Sequence, residues 1–376
     1  MYIQFRNTHL LQVLQTYEKQ RLPLDVFLRI YFKNHKAIGS HDRKYITETL
    51  YSMIRWKGLV DFFCLEDLSW EKRIEVLEHL QPEDHIQDTQ IPIHNRVSFP
   101  KLYFDFLCEQ IGEEKAISFC LASNTPAPTT IRANALKISR DHLLQRLKLS
   151  QPVKTGAFSP LAIHFARRVN FLILPEFREG LFEVQDEGSQ LAALQVDVKP
   201  GDQFLDYCAG SGGKALAIAP QMQGKGQLHL HDIRSQVLAE AKKRLHRAGI
   251  QNAQIIFSED LKKKNLHQKM DWVLVDAPCS GSGTLRRNPD MKWKFSLEDL
   301  QKTLQAQRDI FAKALTFVKP KGHIVYTTCS IFPIENETQV KYFTETFPVT
   351  ALKPPFHSSP SPGGMDGFYS IVLQKT

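Results

Sequence analysis

The sequence predicts an α/β protein. A Rossmann-like doubly wound sheet fills its second half, preceded by a small α/β module and an all-helical region. Three observations carry this. From about residue 181, short apolar runs of strand character alternate with amphipathic helical periods. A glycine-rich turn, Gly210-Ser211-Gly212-Gly213, follows the first of those runs and opens a helical period. The first 95 or so residues carry only helical spacing.

The elements can be taken in order. Leu10, Leu11, Val13 and Leu14 recur at helical spacing, as do Leu24, Val26, Phe27 and Ile30. Gly39-Ser40 breaks the pattern, and Ser40 or Asp42 is placed to cap a long helix carrying Ile46, Leu50, Met53 and Ile54. The polar stretch from Gln81 to Asn95 reads as a linker, which divides the chain into regions 1–95, 98–180 and 181–376. The middle region predicts a helix over Phe104 to Leu121, a break at Asn124-Thr125-Pro126-Ala127-Pro128, a strand over Thr129 to Ala133 and a helix over Arg140 to Leu149. The last region predicts strands at 203–206, 227–231, 255–257, 272–275 and 323–328, with helices at 236–248 and 299–318. A final strand over Phe368 to Leu373 is placed to run antiparallel.

A chain of 376 residues exceeds one typical core, so two or three domains are expected. Its apolar runs are short and broken by charge, and its N-terminus leads into no apolar signal core. A cytoplasmic protein without a membrane span is the expectation. None of the six cysteines forms a C-x-x-C pair or has zinc-site spacing, so neither a disulfide framework nor a metal is expected. Cys64, Cys108 and Cys120 read as buried packing residues. The net charge of +8 favours an anionic partner.

The turn Cys208-Ala209-Gly210-Ser211-Gly212-Gly213-Lys214 lets a ligand approach the backbone at a helix N-terminus. Gly210, Gly212 and Ala215, with Asp232 further on, also satisfy a dinucleotide-binding pattern. The strand-end acids Asp206, Asp232, Asp260 and Asp276 favour a different ligand. Such a row suits ribose hydroxyls, an adenine amino group and a sulfonium, and suits a pyrophosphate poorly.

Two more strand-end loops carry cysteines: Asp276-Ala277-Pro278-Cys279-Ser280-Gly281-Ser282-Gly283 and Thr327-Thr328-Cys329-Ser330. In a doubly wound sheet both fall on the ligand side, where two thiols can face one substrate. Carbon 5 of cytosine is a poor nucleophile until a thiolate adds to carbon 6. That chemistry needs a cysteine, an acid near the ring nitrogen and a base.

These two loops, together with Arg286-Arg287-Asn288-Pro289-Asp290, resemble the signature motifs of the RsmB/Sun-type RNA cytosine-5 methyltransferases. Phe182-Glu183-Val184-Gln185-Asp186-Glu187-Gly188-Ser189-Gln190 and Asp366-Gly367-Phe368-Tyr369 resemble further motifs of that family. The region with Asn124, Pro128, Arg132 and Asn134 resembles its RNA-binding subdomain. Gly39-Ser40-His41-Asp42-Arg43 and Tyr51-Ser52-Met53-Ile54-Arg55 resemble the NusB-like helical domain of the bacterial ribosomal RNA branch.

The resemblance implies a class I S-adenosyl-L-methionine methyltransferase. Cofactor contacts would lie at Cys208 through Lys214, Asp232, Asp260 and Asp276. Cys329 would be the covalent nucleophile, Cys279 the cysteine that releases product, and Asp276 a further catalytic group. It implies RNA as partner, most specifically small-subunit ribosomal RNA, and the chain is expected to act as a monomer. Arg286, Arg287, Arg132 and Asn134 would contact RNA. Lys292 and Lys294, with Trp293 between them, suit an extruded base, and the Lys262-Lys263-Lys264 run reads as a solvated face. One departure stands out. The family's loop reads Cys-Ala-Ala-Pro-Gly-Gly-Lys, and Gly210-Ser211 here is expected to loosen it.

Three readings compete. A DNA cytosine-5 methyltransferase would use Pro278-Cys279 as nucleophile, but Cys329 and the helical N-terminal region argue against it. A transfer RNA enzyme would share all the chemistry. A non-catalytic assembly factor would not need both cysteines and an intact cofactor loop.

Overall fold

The computed structural model describes residues 2–20, 22–263 and 265–376, apart from the side chains of 2–4, 262 and 263. The chain divides into two compact units: residues 1–126 with 284–296, and residues 127–283 with 297–376. The first boundary falls between residues 126 and 127, within the Asn124–Pro128 break.

The first unit is helical. Helices at Tyr2–Tyr17, Leu24–Asn34, Ser40–Cys64 and Trp70–His79 enclose one apolar core. Leu10, Val13, Leu14, Ile46, Leu50 and Met53 are all buried in it, as their spacing predicts. Gly39, not Ser40 or Asp42, takes the N-cap position of the long helix, and no side chain caps it. The single helix expected over 104–121 is two, Lys101–Ile111 and Glu113–Ser123. Gly112 breaks it at φ +83°, a conformation that costs a side-chain-bearing residue and not glycine.

Residues 284–296 belong to this unit through specific bonds. The buried Lys292 Nζ donates to the Arg55 carbonyl and to Asn124 Oδ1, both at 2.7 Å. Trp293 Nε1 donates to the Ile54 carbonyl at 2.8 Å. Tyr17 Oη donates to Asp290 Oδ2 at 2.8 Å, and Lys294 pairs with the same carboxylate at 2.9 Å.

The second unit holds two sheets. The smaller contains β1 (Thr129–Ala133), β2 (Val153–Thr155), β3 (Ala162–Phe165) and β4 (Phe182–Val184), antiparallel in the order β2-β3-β1-β4. The larger contains β5 (Gln203–Asp206), β6 (Gln227–His231), β7 (Ala253–Ile256), β8 (Met270–Asp276), β9 (Val318–Thr328), β10 (Val349–Ala351), β11 (Phe356–Ser358) and β12 (Phe368–Lys375). Its path is β10-β12-β9-β8-β5-β6-β7, and β11 pairs with β12. Strands β5 to β9 run parallel, and β12 lies antiparallel to β9.

The order reverses at β5, so the crevice beside its carboxyl end is where such a sheet binds ligands. Helices Ser235–Ala248 and Leu297–Leu315 contribute Leu238, Ala241, Leu245, Phe311 and Ala314 to the two cores that sandwich the sheet. No helix among the described residues is long and apolar enough to cross a membrane.

Candidate active site

Strand β5 ends at Asp206, and the turn that follows has Gly210 at φ +54° and Gly212 at φ +81°. Both glycines are required by the backbone, and the helix Gly213–Ile218 starts immediately behind them. The expected looseness is offset by two braces. Gly210 N donates to Asp232 Oδ2 at 2.9 Å. Arg244 donates to the carbonyl and hydroxyl of Ser211 at 3.0 and 2.7 Å. Arg244 is itself anchored by Glu183 at 3.0 Å.

A cavity of 430 Å³ lies beside this turn, lined among others by Cys208, Asp232, Ile233, Asp276, Pro278 and Ile310. Asp232 accepts from Arg234 through its backbone and guanidinium as well as from Gly210. Burial opposes its charge, but these bonds win and hold its carboxyl below the usual range. Ile233 is 85% exposed directly beside it, an apolar face for a planar ring. Ile233 and Arg244 were missed by the sequence reading. Ile233 carries no chemistry to flag it, and Arg244 lies on the distant Ser235–Ala248 helix.

Asp206 is buried, and its Oδ1 lacks a partner. Burial, then repulsion from Asp276, pushes its carboxyl up to about 8. An orphaned acidic oxygen beside a glycine turn, an anionic Asp232 and an apolar wall fit a cationic ligand that carries a ribose and an aromatic ring. S-adenosyl-L-methionine is such a molecule. Cys208 is half-buried, and desolvation first, then the Asp206 carboxyl, raises its thiol far above the ordinary range. Asp260 sits in the first turn of helix Ser258–Lys263, whose Ser258 bonds the lining residue His231, and is not itself among the residues that line the cavity.

The two cysteine loops converge. Cys279 follows β8 and Cys329 follows β9, and their sulfurs lie 3.3 Å apart. The Cys279 thiol is raised well above its ordinary range by its bond to Cys329 first, then by burial. Lys214 Nζ bonds Asp276 Oδ2 at 2.6 Å. Burial opposes the Lys214 charge, but Asp276 outweighs it and keeps the ammonium protonated. Gly283 and Gly367 meet backbone to backbone, with Gly367 N donating to the Gly283 carbonyl at 2.8 Å. A Cβ on Gly283 would lie 2.1 Å from the Gly367 oxygen, so the close approach requires glycine.

The expected RNA contacts divide differently. Arg286, Arg132 and Asn134 are 1, 2 and 4% exposed, so their side chains offer a phosphate no surface. Arg132 Nε instead donates to Gln185 Oε1 at 2.7 Å, and Gln185 reaches the Gly213 carbonyl at 3.4 Å. Asn134 Nδ2 donates to the Gly180 and Ala248 carbonyls, both at 2.9 Å. Arg132 and Asn134 are internal braces, and Arg286 accepts at its carbonyl from Arg55. Lys292 is likewise 1% exposed, while Arg287 is half-buried. The Lys262-Lys263-Lys264 side chains lie outside the described residues. Among the described residues, no group of three or more His, Cys, Asp or Glu could hold a metal ion.

The chain has the fold of the class I methyltransferases, and its crevice fits S-adenosyl-L-methionine. A family model described as 16S rRNA methyltransferase RsmB/F matches residues 193–366, and one described as the Methyltr_RsmF/B-like ferredoxin-like domain matches 99–171. Ribosomal RNA small subunit methyltransferase B of Vibrio cholerae is 32% identical over 80% of this chain and 71% of its own length. That of Vibrio vulnificus is 36% identical over 68% of this chain and 61% of its own. The chain belongs to the RsmB/F family, and in the first two relatives it matches it spans about three fifths of their length. The crystal structure of PH0851 shares the fold over 97% of both chains, with TM-score 0.80 at 22% identity. A methyltransferase homologue from Pyrococcus horikoshii aligns over 79% of this chain and all of its own, with TM-score 0.64 at 27% identity.

Proposed function

We propose that this chain methylates carbon 5 of a cytosine in small-subunit ribosomal RNA, acting as a cytoplasmic monomer through a covalent cysteine–cytosine adduct. The observation that carries the reading is the 3.3 Å approach of Cys279 and Cys329, with Pro278, the residue before Cys279, lining the cavity. One thiol to attack and a second to assist departure is what this chemistry asks for.

S-adenosyl-L-methionine supplies the electrophilic methyl group. The chain's own residues do the rest. Asp232 takes the ribose hydroxyls, and Asp206 meets the cationic end. Asp260 serves as a further cofactor contact. The Cys329 thiolate adds to carbon 6, which makes carbon 5 nucleophilic. Asp276, bonded to Lys214, relays the proton given up by the Cys329 thiol to the ring nitrogen that gains electron density. After methylation a base takes the proton from carbon 5, the ring nitrogen returns its proton to Asp276, the double bond re-forms and Cys329 leaves as thiolate, with the Cys279 thiol assisting this last step. Arg287 and the exposed Lys313 supply cationic groups for the RNA backbone.

Labelled-methyl transfer to ribosomal and transfer RNA, followed by bisulfite sequencing, tests the reading. Protected cytosines in small-subunit ribosomal RNA support it. Label in transfer RNA alone, at another atom, or in neither RNA contradicts it.

A further inference from the structure

Cys279 has no element of its own to hold it. It lies in an irregular loop between β8 and the Gly283–Gly367 contact, yet its sulfur meets that of Cys329 at 3.3 Å. What fixes the loop is one step along the chain, at Ser280. Glu335 Oε1 accepts from Ser280 N at 2.8 Å, and Glu335 Oε2 accepts from Ser280 Oγ at 2.5 Å. Both carboxylate oxygens therefore grip the residue after Cys279. Glu335 is 0% exposed and sits in the turn Pro333–Glu335, six residues beyond Cys329.

Its neighbours hold the turn in place. Gln307 donates to Glu335 Oε1 at 3.1 Å and to the Pro278 carbonyl at 3.0 Å, and Tyr326 Oη donates to the Glu335 carbonyl at 2.8 Å. On the other side Asn336 accepts from Thr328 Oγ1 at 2.6 Å and donates to the Ser330 carbonyl at 2.9 Å, which brackets Cys329.

We infer that Glu335 is a positioning residue for the cysteine pair: its buried carboxylate ties the Cys279 loop to the turn behind Cys329 and so sets the contact between the two thiols. A carboxylate is suited to this because it accepts from the backbone N–H and the hydroxyl of one residue at once, as a bidentate acceptor. It also places a negative charge beside Cys279. The ionisable groups that bear on Cys279 are Cys329, Glu335 and Tyr326, and Glu335 contributes to its raised thiol. The clamp thus serves two ends, holding Cys279 near Cys329 and keeping it protonated.

The inference rests on the cytosine-5 reading for its catalytic consequence, but not for its chemical one. In the full chain, alkylation of Cys279 by iodoacetamide across a pH series, read by mass spectrometry, needs no RNA. Glu335→Gln keeps an acceptor for Ser280 N and removes the charge. The midpoint for Cys279 is expected to fall by about one pH unit, as loss of a nearby like charge implies. Glu335→Ala releases the loop. With RNA and S-adenosyl-L-methionine it is expected to accumulate a protein–RNA band on a denaturing gel, and Glu335→Gln is expected to relieve that band. If Glu335→Ala does not fold, Ser280→Ala breaks the same clamp from the other side, with the same accumulation expected. An unchanged Cys279 midpoint in Glu335→Gln, or full turnover without a band in the clamp variants, overturns the role of Glu335. If Cys279→Ala itself gives no band, the cytosine-5 reading fails, and the alkylation midpoint alone decides Glu335.

Discussion

The sulfurs of Cys279 and Cys329, fifty residues apart in sequence, stand in contact at 3.3 Å, one at the end of each of two adjacent parallel strands. Strands β8 and β9 are paired in register through Asp276 and Thr327, so the loops that leave them start side by side. A parallel sheet delivers that convergence without any long-range signal in the loops themselves.

The cofactor assignment predicts that Asp232→Ala weakens S-adenosylhomocysteine binding by about 1–3 kcal/mol, since a charged acceptor is lost. The same change frees Gly210 N, so the loop loosens with it. Calorimetry reading an unchanged affinity would remove Asp232 from the site. NADH is expected not to bind.

Ser211 stands where related loops carry proline, and Arg244 holds it. Ser211→Ala removes one of the two bonds and is expected to weaken the cofactor by about 1 kcal/mol. Equal affinity in the variant would show that the backbone bond alone suffices.

Arg286→Ala is expected to act on stability. The side chain is 1% exposed, and its deletion leaves a cavity and unmet neighbours, costing about 2–4 kcal/mol. Urea denaturation measures this. A variant of native stability with weakened RNA binding would restore Arg286 to the RNA face.

Asp206 makes the cofactor-free protein pH-sensitive. Its carboxyl is raised from 3.8 to about 8 on folding, so the folded state binds the extra proton between those values. Its contribution to stability is therefore present at low pH and is lost as pH rises from about 4 to about 8. Asp206→Asn is expected to flatten that decline in thermal melts taken across the window. A decline of the same slope in the variant would place its source elsewhere.

Much of this was legible in the sequence because it was local. The β1 strand, the β5 loop and the helix after Arg140 each carry their own periodicity or turn chemistry. The short strands β2, β3 and β4 were not legible, since three or four residues show no period. The single helix drawn over 104–121 failed on Gly112, a residue that helices tolerate until its φ turns positive. Both cysteine loops were legible as motifs, but their contact was not. The expected RNA contacts Arg132, Asn134 and Arg286 are buried for a related reason: a polar side chain is visible in a sequence, and its burial is not. Arg132 and Asn134 became braces because amide or carbonyl oxygens from distant segments accept from them, and the Arg286 carbonyl accepts from Arg55.

The central claim is that Cys329 attacks and Cys279 releases. Each cysteine is changed to alanine in turn, and each variant is incubated with target RNA and S-adenosyl-L-methionine and run on a denaturing gel. Cys279→Ala should give a slow protein–RNA band, because attack and methyl transfer proceed while release fails. Cys329→Ala should give no band and no methylation. The reverse pattern would make Cys279 the nucleophile, and full activity without a band in both variants would return the pair to packing.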